Sequence, residues 1–226
     1  MTSRKLVLGA VLFLAALLPL AGQPRPFSGT PELLESIERL NQLGSVLMIA
    51  AHPDDERTGV LAYFARGRHM RTAYLSVTRG EGGQNLIGPE QGAALGVIRT
   101  QELLAARQID GATQFFTRAI DFGFSKTADE TMQKWGHDRI LSDIVWVIRS
   151  YRPDVIILVF TGTPFDGHGH HQVSAILGKE AFSAAADPAR FPEQLRYVKP
   201  WQATRIVHAL WSFGPLGGRG PRPAPP

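Results

Sequence analysis

The stretch that decides the fold is residues 45–56, Ser-Val-Leu-Met-Ile-Ala-Ala-His-Pro-Asp-Asp-Glu. From Val46 to Ala51 the chain is a short unbroken apolar run, which is typical of a strand buried on both faces of a parallel sheet. The run stops at His52, and an imidazole and three carboxylates fall within residues 52–56. The sequence therefore predicts a buried strand that delivers polar side chains at its carboxyl end.

Other segments repeat this alternation of strands and helices. Apolar residues at helical spacing predict helices over residues 31–40, 56–66 and 95–108, and apolar runs predict strands over residues 71–78 and 153–160. Strands that alternate with helices in this way indicate an α/β sandwich with a mostly parallel sheet.

A second group of polar residues follows the strand predicted at residues 153–160. Three of the seven histidines, His168, His170 and His171, fall within four positions there. A helix that begins at this point places His168 and His171 one turn apart on one face. Ligands bind outside the carboxyl ends of the strands of an open parallel sheet, so both groups are expected to line one site.

The two groups together contain the ligands of a catalytic metal ion. A catalytic zinc typically has three protein ligands and a fourth position for water, and His52, Asp55 and His171 supply such a set. Asp54, adjacent to a ligand but not needed as one, is the candidate general base. Iron(II) tolerates the same two-histidine, one-carboxylate set, so the predicted cofactor is Zn²⁺, with Fe²⁺ as the alternative.

The alternative to a metal site is a purely structural role for the first group. Pro53 at the first helical position and acids in the first turn are good helix starters that complement the helix dipole. This interpretation does not account for His52, which lies at the mouth of the sheet, or for the second histidine group. The metal site is therefore the preferred interpretation.

The motifs resemble those of the zinc deacetylases of the PIG-L (LmbE-like) family. Residues 51–56 (AHPDDE) and the His-x-x-His at residues 168–171 carry the resemblance. Residues 78–82 resemble the family's Thr-x-Gly-Glu segment, and residues 99–102 resemble its Arg-x-x-Glu. The resemblance covers residues 46–176.

The resemblance implies a Rossmann-like, three-layer α/β fold with zinc held by His52, Asp55 and His171. It implies that Asp54 is the general base and that His168 stabilises the tetrahedral intermediate. It also implies substrates in which an N-acetyl group is attached to a sugar, commonly an N-acetylglucosaminyl unit.

Three further residues are predicted to contact substrate. Arg99 is one, although an ordinary surface pair with Glu102 one turn away is the alternative. Glu81 is the second, with a solvated acid in a glycine-rich turn as the alternative. Asp121 is the third, because it lies where members of the family often place an acid that contacts substrate. His170 stands where the family often carries an acid or a small polar residue, and it is predicted to be a bystander. Surface or packing roles are expected for the remaining isolated histidines, His69, His137 and His208.

Composition excludes several other classes of function. The formal net charge is +4 and the basic residues are scattered, which argues against nucleic-acid binding. The absence of cysteine excludes disulfides and thiolate metal sites. The glycines after the second strand lack the Gly-x-Gly-x-x-Gly spacing, which argues against a nicotinamide cofactor.

The N-terminal residues predict export, and the C-terminal residues predict a disordered tail. Residues 1–22 have a basic start, an apolar stretch and small residues at the end, as in a secretory signal peptide, which favours a secreted or periplasmic protein with no stable membrane span after cleavage. An uncleaved membrane anchor is the alternative. We predict a connector over residues 23–30, a deacetylase domain over residues 31–213 and a disordered Pro/Gly-rich tail over residues 214–226.

The predicted function is therefore zinc-dependent removal of an acetyl group from the amide nitrogen of an N-acetylglucosamine-type sugar, a small-molecule or glycan substrate. One alternative is hydrolysis of a non-sugar amide or of a sugar conjugate at the same metal. The other is a non-catalytic secreted fragment that binds metal or carbohydrate, because only a short stretch separates the family-like region from the tail. The sequence does not predict the oligomeric state.

Overall fold

The computed structural model describes residues 29–83 and 85–209. The predicted export signal, nearly all of the connector and the Pro/Gly-rich tail lie outside the described residues. Within the described part of the chain, no helix combines the length and the hydropathy that a membrane-spanning segment needs.

Strands and helices alternate along most of the described chain. The strands are β1 (Ser45–Ala50), β2 (Arg71–Ser76), β3 (Thr113–Phe116), β4 (Val155–Leu158) and β5 (Arg205–His208). The α-helices are α1 (Thr30–Arg39), α2 (Thr58–Ala62), α3 (Ala93–Asp110), α4 (Ala128–Trp135), α5 (His137–Tyr151) and α6 (Gly169–Ala184). A π-helical turn, Tyr63–Gly67, extends α2, and 3-10 turns span Pro164–Asp166 and Pro192–Arg196.

The five strands form one parallel sheet in the order β3-β2-β1-β4-β5. β1 lies at the centre, where Leu47 is in register with Ala73 of β2 and with Ile156 of β4. All six residues of β1 are buried, as the unbroken apolar run predicts. The predicted α/β fold with a mostly parallel sheet is confirmed.

Helices cover both faces of the sheet. Successive side chains of β1 point to opposite sides, and they are apolar on both, so each face needs a covering layer. Leu47 and Ile49 pack in a core that includes residues of α5 and α6. Val46 and Met48 pack in a second core that includes Leu61 of α2 and also Leu103 of α3. The result is a three-layer sandwich.

Several boundaries differ from the sequence predictions. The helix expected from residue 56 begins at Thr58, because residues 52–57 form the loop that carries the ligands. β2 ends at Ser76, although the backbone N–H groups of Val77 and Thr78 still donate to β1 and the residue after it. β3, β5, α4 and α5 have no counterpart among the sequence predictions.

The strand order reverses beside β1. β2 and β3 extend the sheet to one side of β1, whereas β4 and β5 extend it to the other. The loops that leave the carboxyl ends of β1 and β4 therefore diverge, and a crevice opens between them, which is the usual ligand position in an open α/β sheet. Both groups of candidate ligands follow these two strands.

Candidate metal centre and active site

The three predicted ligands meet in this crevice. The Nδ1 atom of His52 lies 3.2 Å from Oδ2 of Asp55, and Nε2 of His171 lies 3.5 Å from Oδ1 of Asp55. One ligand atom from each of the three residues lies within 4.8 Å of the others. The structure thus brings together residues that are more than 110 positions apart, as the sequence predicts.

The arrangement fits a divalent metal ion. Two ligand atoms of a tetrahedral zinc ion are about 3.3 Å apart when each is about 2.0–2.1 Å from the metal. The separations of 3.2 Å and 3.5 Å are close to this value. Two imidazoles and one carboxylate are also a common donor set of catalytic zinc sites.

Neighbours of His171 orient its ring for this role. The ring stacks on Phe160, with 4.0 Å between ring centroids and an angle of 7° between the planes. Its Nδ1 atom lies 3.3 Å from the carbonyl oxygen of Asp166, which favours a proton on Nδ1 and a free lone pair on Nε2. Burial lowers the pKa of His171, so the neutral, metal-binding form predominates at neutral pH.

His52 is held through its main chain as well as its ring. Its backbone N–H donates to Asp55 at 2.8 Å, and its carbonyl oxygen accepts from the hydroxyl of Tyr74 at 2.5 Å. Burial alone lowers the pKa of His52, but the hydrogen bond and charge of Asp55, together with the charge of Asp121, outweigh burial and raise it. This electrostatic environment also favours a bound cation.

Asp54 adopts a backbone conformation that is uncommon for a residue with a side chain. Its φ angle is +88°, and its backbone N–H donates to Oε2 of Glu56 at 2.9 Å. The side chain is 72% exposed, so water reaches the carboxylate that is predicted to act as the general base.

Arg99 binds this exposed carboxylate. Its Nη2 atom donates to Oδ2 of Asp54 at 2.7 Å and to the carbonyl oxygen of Pro53 at 3.0 Å. A side chain at Gly80 or Gly83 would collide with the guanidinium, since a Cβ atom at either position would lie 2.6 Å from Nη1. The ion pair predicted as an alternative, with Glu102, is not the pair that forms, and Arg99 orients the candidate base.

We expect Arg99→Met to lower kcat by roughly 10- to 100-fold, because a misplaced catalytic group costs about that much. The free energy of unfolding is expected to change by less than about 1 kcal/mol, since Asp54 is mostly solvated. Steady-state kinetics and urea unfolding of the variant test both statements. An unchanged kcat would show that Asp54 needs no such support.

His168 caps the helix that carries His171. It is the N-cap residue of α6, and its Nδ1 atom accepts from the backbone N–H of His170 at 3.2 Å. Its ring centroid lies 5.2 Å from that of His52 and 4.9 Å from that of His171. Burial, reinforced by the charges of His52 and His171, lowers the pKa of His168 to about 4.

Gly169 allows this cap to approach the loop before α4. Its backbone N–H donates to the carbonyl oxygen of Ser125 at 2.9 Å. A Cβ atom at Gly169 would overlap the carbonyl oxygen of Thr127 and the hydroxyls of Ser125 and Thr131. The glycine between the histidines is therefore required by close packing.

His170, predicted to be a bystander, packs against the candidate ligand His52. It is completely buried, and its Nδ1 atom lies 2.9 Å from Nε2 of His52. The rings of Phe122 and Trp135 pack against it, with centroids 4.3 Å and 4.6 Å away. Its Nε2 atom is buried and has no hydrogen-bond partner among the described residues. Burial lowers the pKa of His170 to about 2, so the ring is neutral.

A cavity of about 470 Å³ is lined by Asp121, which also approaches the histidines, and by Glu81. This volume lies in the range of small-ligand sites, about 300–1,000 Å³. Asp121 has one carboxylate oxygen 3.8 Å from Nε2 of His52, and its backbone N–H donates to Glu81 at 3.1 Å. Ile120 and Val97 form apolar walls. The position of Glu81 and Asp121 is compatible with the predicted substrate contacts.

A buried ionic network also supports the loop of residues 52–57, which carries two of the candidate ligands. Arg107 is 4% exposed; its Nη2 atom donates to Asp110 at 2.6 Å and to Oε1 of Glu56 at 3.3 Å. The other oxygen of Glu56 accepts from the backbone of Asp54. Sequence reasoning missed this role. Only the i, i+3 spacing of Arg107 and Asp110 hinted at an ion pair, and it gave no sign that the pair is buried.

The remaining histidines lie apart from the metal centre, as expected. His69 pairs with Glu38 at 2.8 Å, and His208 lies 2.8 Å from the carbonyl oxygen of Phe160 through Nδ1. His137 contacts Glu180 at 2.7 Å and Asp138 at 2.8 Å.

The domain is a three-layer α/β sandwich, and a His-Asp-His ligand set lies where the strand order reverses. These features are typical of a metalloenzyme. The chain belongs to the PIG-L family: the model of that family, described as GlcNAc-PI de-N-acetylase, matches residues 47–182. The resemblance inferred from the motifs is thereby confirmed.

Two relatives are named for deacetylase activities. The chain is 28% identical over 210 residues to the 1D-myo-inositol 2-acetamido-2-deoxy-alpha-D-glucopyranoside deacetylase of Kineococcus radiotolerans, with 82% of this chain and 57% of that protein covered. It is 29% identical over 153 residues to the diacetylchitobiose deacetylase of Thermococcus kodakarensis, with 67% of this chain and 54% of that protein covered. The chain thus spans little more than half the length of these relatives.

A solved structure shares the fold. The N,N'-diacetylchitobiose deacetylase from Pyrococcus horikoshii superposes with a TM-score of 0.60 at 16% sequence identity, covering 81% of this chain and 70% of that chain. At this level of identity the similarity supports the fold alone.

Proposed function

We propose that this protein is a metal-dependent hydrolase that removes the acetyl group from the amide nitrogen of an N-acetylglucosamine-type sugar. The observation that carries the proposal is the convergence of His52, Asp55 and His171 beside an exposed, arginine-bound Asp54. Membership of the PIG-L family and the N-acetylated sugar substrates in the names of two relatives support the same reaction.

The residues of this chain divide the reaction between them. Asp54, exposed to solvent and oriented by Arg99, accepts a proton from water and later returns one to the departing amine. His168 faces the ligand set and donates a hydrogen bond to the oxygen of the tetrahedral intermediate. A divalent ion bound by the three ligands would supply Lewis-acid activation of the carbonyl and of water.

The cavity, whose lining contains Asp121 but none of the three proposed metal ligands, is the proposed position of the sugar. Glu81 and Asp121 offer carboxylate acceptors for hydroxyl groups, and Ile120 and Val97 offer apolar surface for the faces of a pyranose or for an attached group. Thr100 and Gln101 add hydroxyl and amide groups to the lining.

We propose zinc as the metal and a secreted or periplasmic location for the protein. Two imidazoles and one carboxylate suit zinc, although they also suit iron(II), so the metal content of protein purified without added metal decides between them. The basic, apolar and small-residue pattern of residues 1–22 supports a secreted or periplasmic location. Fractionation of cells that express the full chain tests the location.

The test of the reaction is release of free amine. Full-length protein loaded with Zn²⁺ is incubated with N-acetylglucosamine, with its glycosides and with N-acetylated amines that carry no sugar. We expect amine release from the sugars, loss of that release after chelation and recovery when zinc returns. Release from the non-sugar amines alone would contradict the sugar assignment. Tight metal binding without release from any probe would instead favour a non-catalytic binding protein.

A further inference from the structure

His52 has potential metal ligands beside both of its ring nitrogens. On one side, Oδ2 of Asp55 lies 3.2 Å from Nδ1, and Nε2 of His171 lies 3.5 Å from the other oxygen of Asp55; Asp55 and His171 are called the Nδ1 side below. On the other, His170 lies 2.9 Å from Nε2, and His168 has a ring nitrogen within 4.8 Å of the ligand atoms of His52 and His170; this pair is called the Nε2 side. Metal-ligand geometry is therefore present twice, with His52 shared.

The ring spacing on the Nε2 side matches that of a three-imidazole site, and an ion bound there would widen the separation of His52 Nε2 and His170 Nδ1 from 2.9 Å to about 3.3 Å. Two imidazoles that bind one tetrahedral ion have ring centroids about 5 Å apart, given Zn–N distances of about 2.0–2.1 Å. The centroid of His52 lies 5.2 Å from that of His168 and 5.1 Å from that of His170, and the last two are 4.5 Å apart. Asp121 lies 3.8 Å from His52 and 3.7 Å from His170, so a carboxylate charge faces the cluster.

Each tautomer of His52 is matched by an acceptor for its remaining proton. When Nδ1 binds an ion, the proton on Nε2 is donated to Nδ1 of His170 at 2.9 Å. When Nε2 binds an ion, the proton on Nδ1 is donated to Oδ2 of Asp55 at 3.2 Å, which is the carboxylate–histidine–metal arrangement common in zinc sites. A neutral imidazole has one free lone pair, so the two positions exclude each other.

We propose that the chain has two alternative positions for one divalent transition-metal ion, selected by the tautomer of His52. The Nδ1 position, with Asp55 and His171, is the productive one. The Nε2 position, with His168 and His170, is nonproductive because it occupies the side chain that the reaction needs for the intermediate. Moving the ion to the Nε2 position moves one proton between the nitrogens of His52. It also requires the free lone pair of His168, so the hydrogen bond that Nδ1 of His168 accepts from the backbone N–H of His170 is given up. The total number of protons is unchanged.

This proposal rests on the metal dependence in the proposed function, but not on the deacetylase reaction. Its test is therefore the metal content of full-length variants that have been loaded with Zn²⁺ and then desalted. We expect wild type and His171→Ala each to retain about one ion per chain, with turnover lost in the variant. We expect His171→Ala/His170→Leu to retain almost none. Because His170 is buried, His171→Ala/His168→Ala provides a second route to the same loss.

Cobalt(II) substitution reports which side holds the ion. The visible spectrum of Co²⁺ bound to His171→Ala is expected to change from that of wild type, since three nitrogens replace two nitrogens and a carboxylate. His137→Gln, a histidine outside the cluster, is the matched control and is expected to leave metal content and spectrum unchanged.

The outcomes separate the two proposals. Loss of the ion in His171→Ala alone, with one ion in wild type, overturns the alternative position and leaves the proposed function intact. Retention of the ion in both double variants, with circular dichroism confirming that they fold, also overturns it, since the ion must then be held elsewhere. A wild-type protein that binds no ion overturns both proposals.

Discussion

Asp54→Asn is expected to lower the turnover of the proposed deacetylation by roughly 100- to 10,000-fold, the usual contribution of a general base, while leaving the metal content unchanged. The asparagine side chain has the same shape but cannot accept a proton from water at neutral pH. Its amide oxygen still accepts the hydrogen bond that Arg99 now donates to the carboxylate. Steady-state amine release and metal content of the same preparation measure the two effects.

The backbone of residue 54 makes this substitution a clean test. Its φ angle of +88° falls where a residue with a side chain is uncommon, and asparagine tolerates positive φ better than most residues. The variant is therefore expected to fold with an undisturbed loop. Asp129→Asn, an exposed aspartate in the first turn of α4, is the matched control and should keep the wild-type rate. A wild-type rate in Asp54→Asn would show that another group accepts the proton.

The position of the metal centre followed from the sequence because the sheet is parallel. Residues that directly follow β1 and β4 must emerge at the same edge, so His52, Asp55 and His171 were predicted to meet although the chain between them was not interpreted in full. The unbroken apolar run of β1 made this inference secure. β3 was missed because only four residues form it and they are not fully buried.

The surroundings of the metal centre did not follow from the sequence. The contact between Arg99 and Asp54 joins residues 45 positions apart. It also depends on glycine at positions 80 and 83, where a side chain would collide with the guanidinium. The placement of His170 depends on which way its ring turns at the start of α6, and residue spacing carries no information on that. By contrast, α5 has buried residues at helical spacing, including Ile140, Ile144, Val147 and Ile148, and this pattern is visible in the sequence.

The second large effect is a loss of stability, which we expect when the buried ionic network of Arg107 is broken. Asp110 is 5% exposed and Glu56 is 7% exposed, so both carboxylates lose a cation that water cannot replace when Arg107 is removed. Removal of one partner from a buried ion pair costs about 3–5 kcal/mol. We therefore expect Arg107→Met to lower the free energy of unfolding by that amount, a large share of the about 5–15 kcal/mol typical of a folded protein.

Urea unfolding of Arg107→Met measures the loss, and Arg118→Met is the matched control. Arg118 pairs with Asp143 through Nη2 at 2.7 Å but is 65% exposed. Asp143 is 14% exposed and keeps the hydrogen bond from the backbone N–H of residue 118 after the substitution, so the loss is expected to cost less than about 1 kcal/mol. Equal losses in the two variants would contradict the argument from burial. Because Glu56 also accepts the backbone N–H of Asp54, Arg107→Met is further expected to lower kcat under conditions where the variant remains folded. The same buried charges that stabilise the loop thereby hold the candidate base in place.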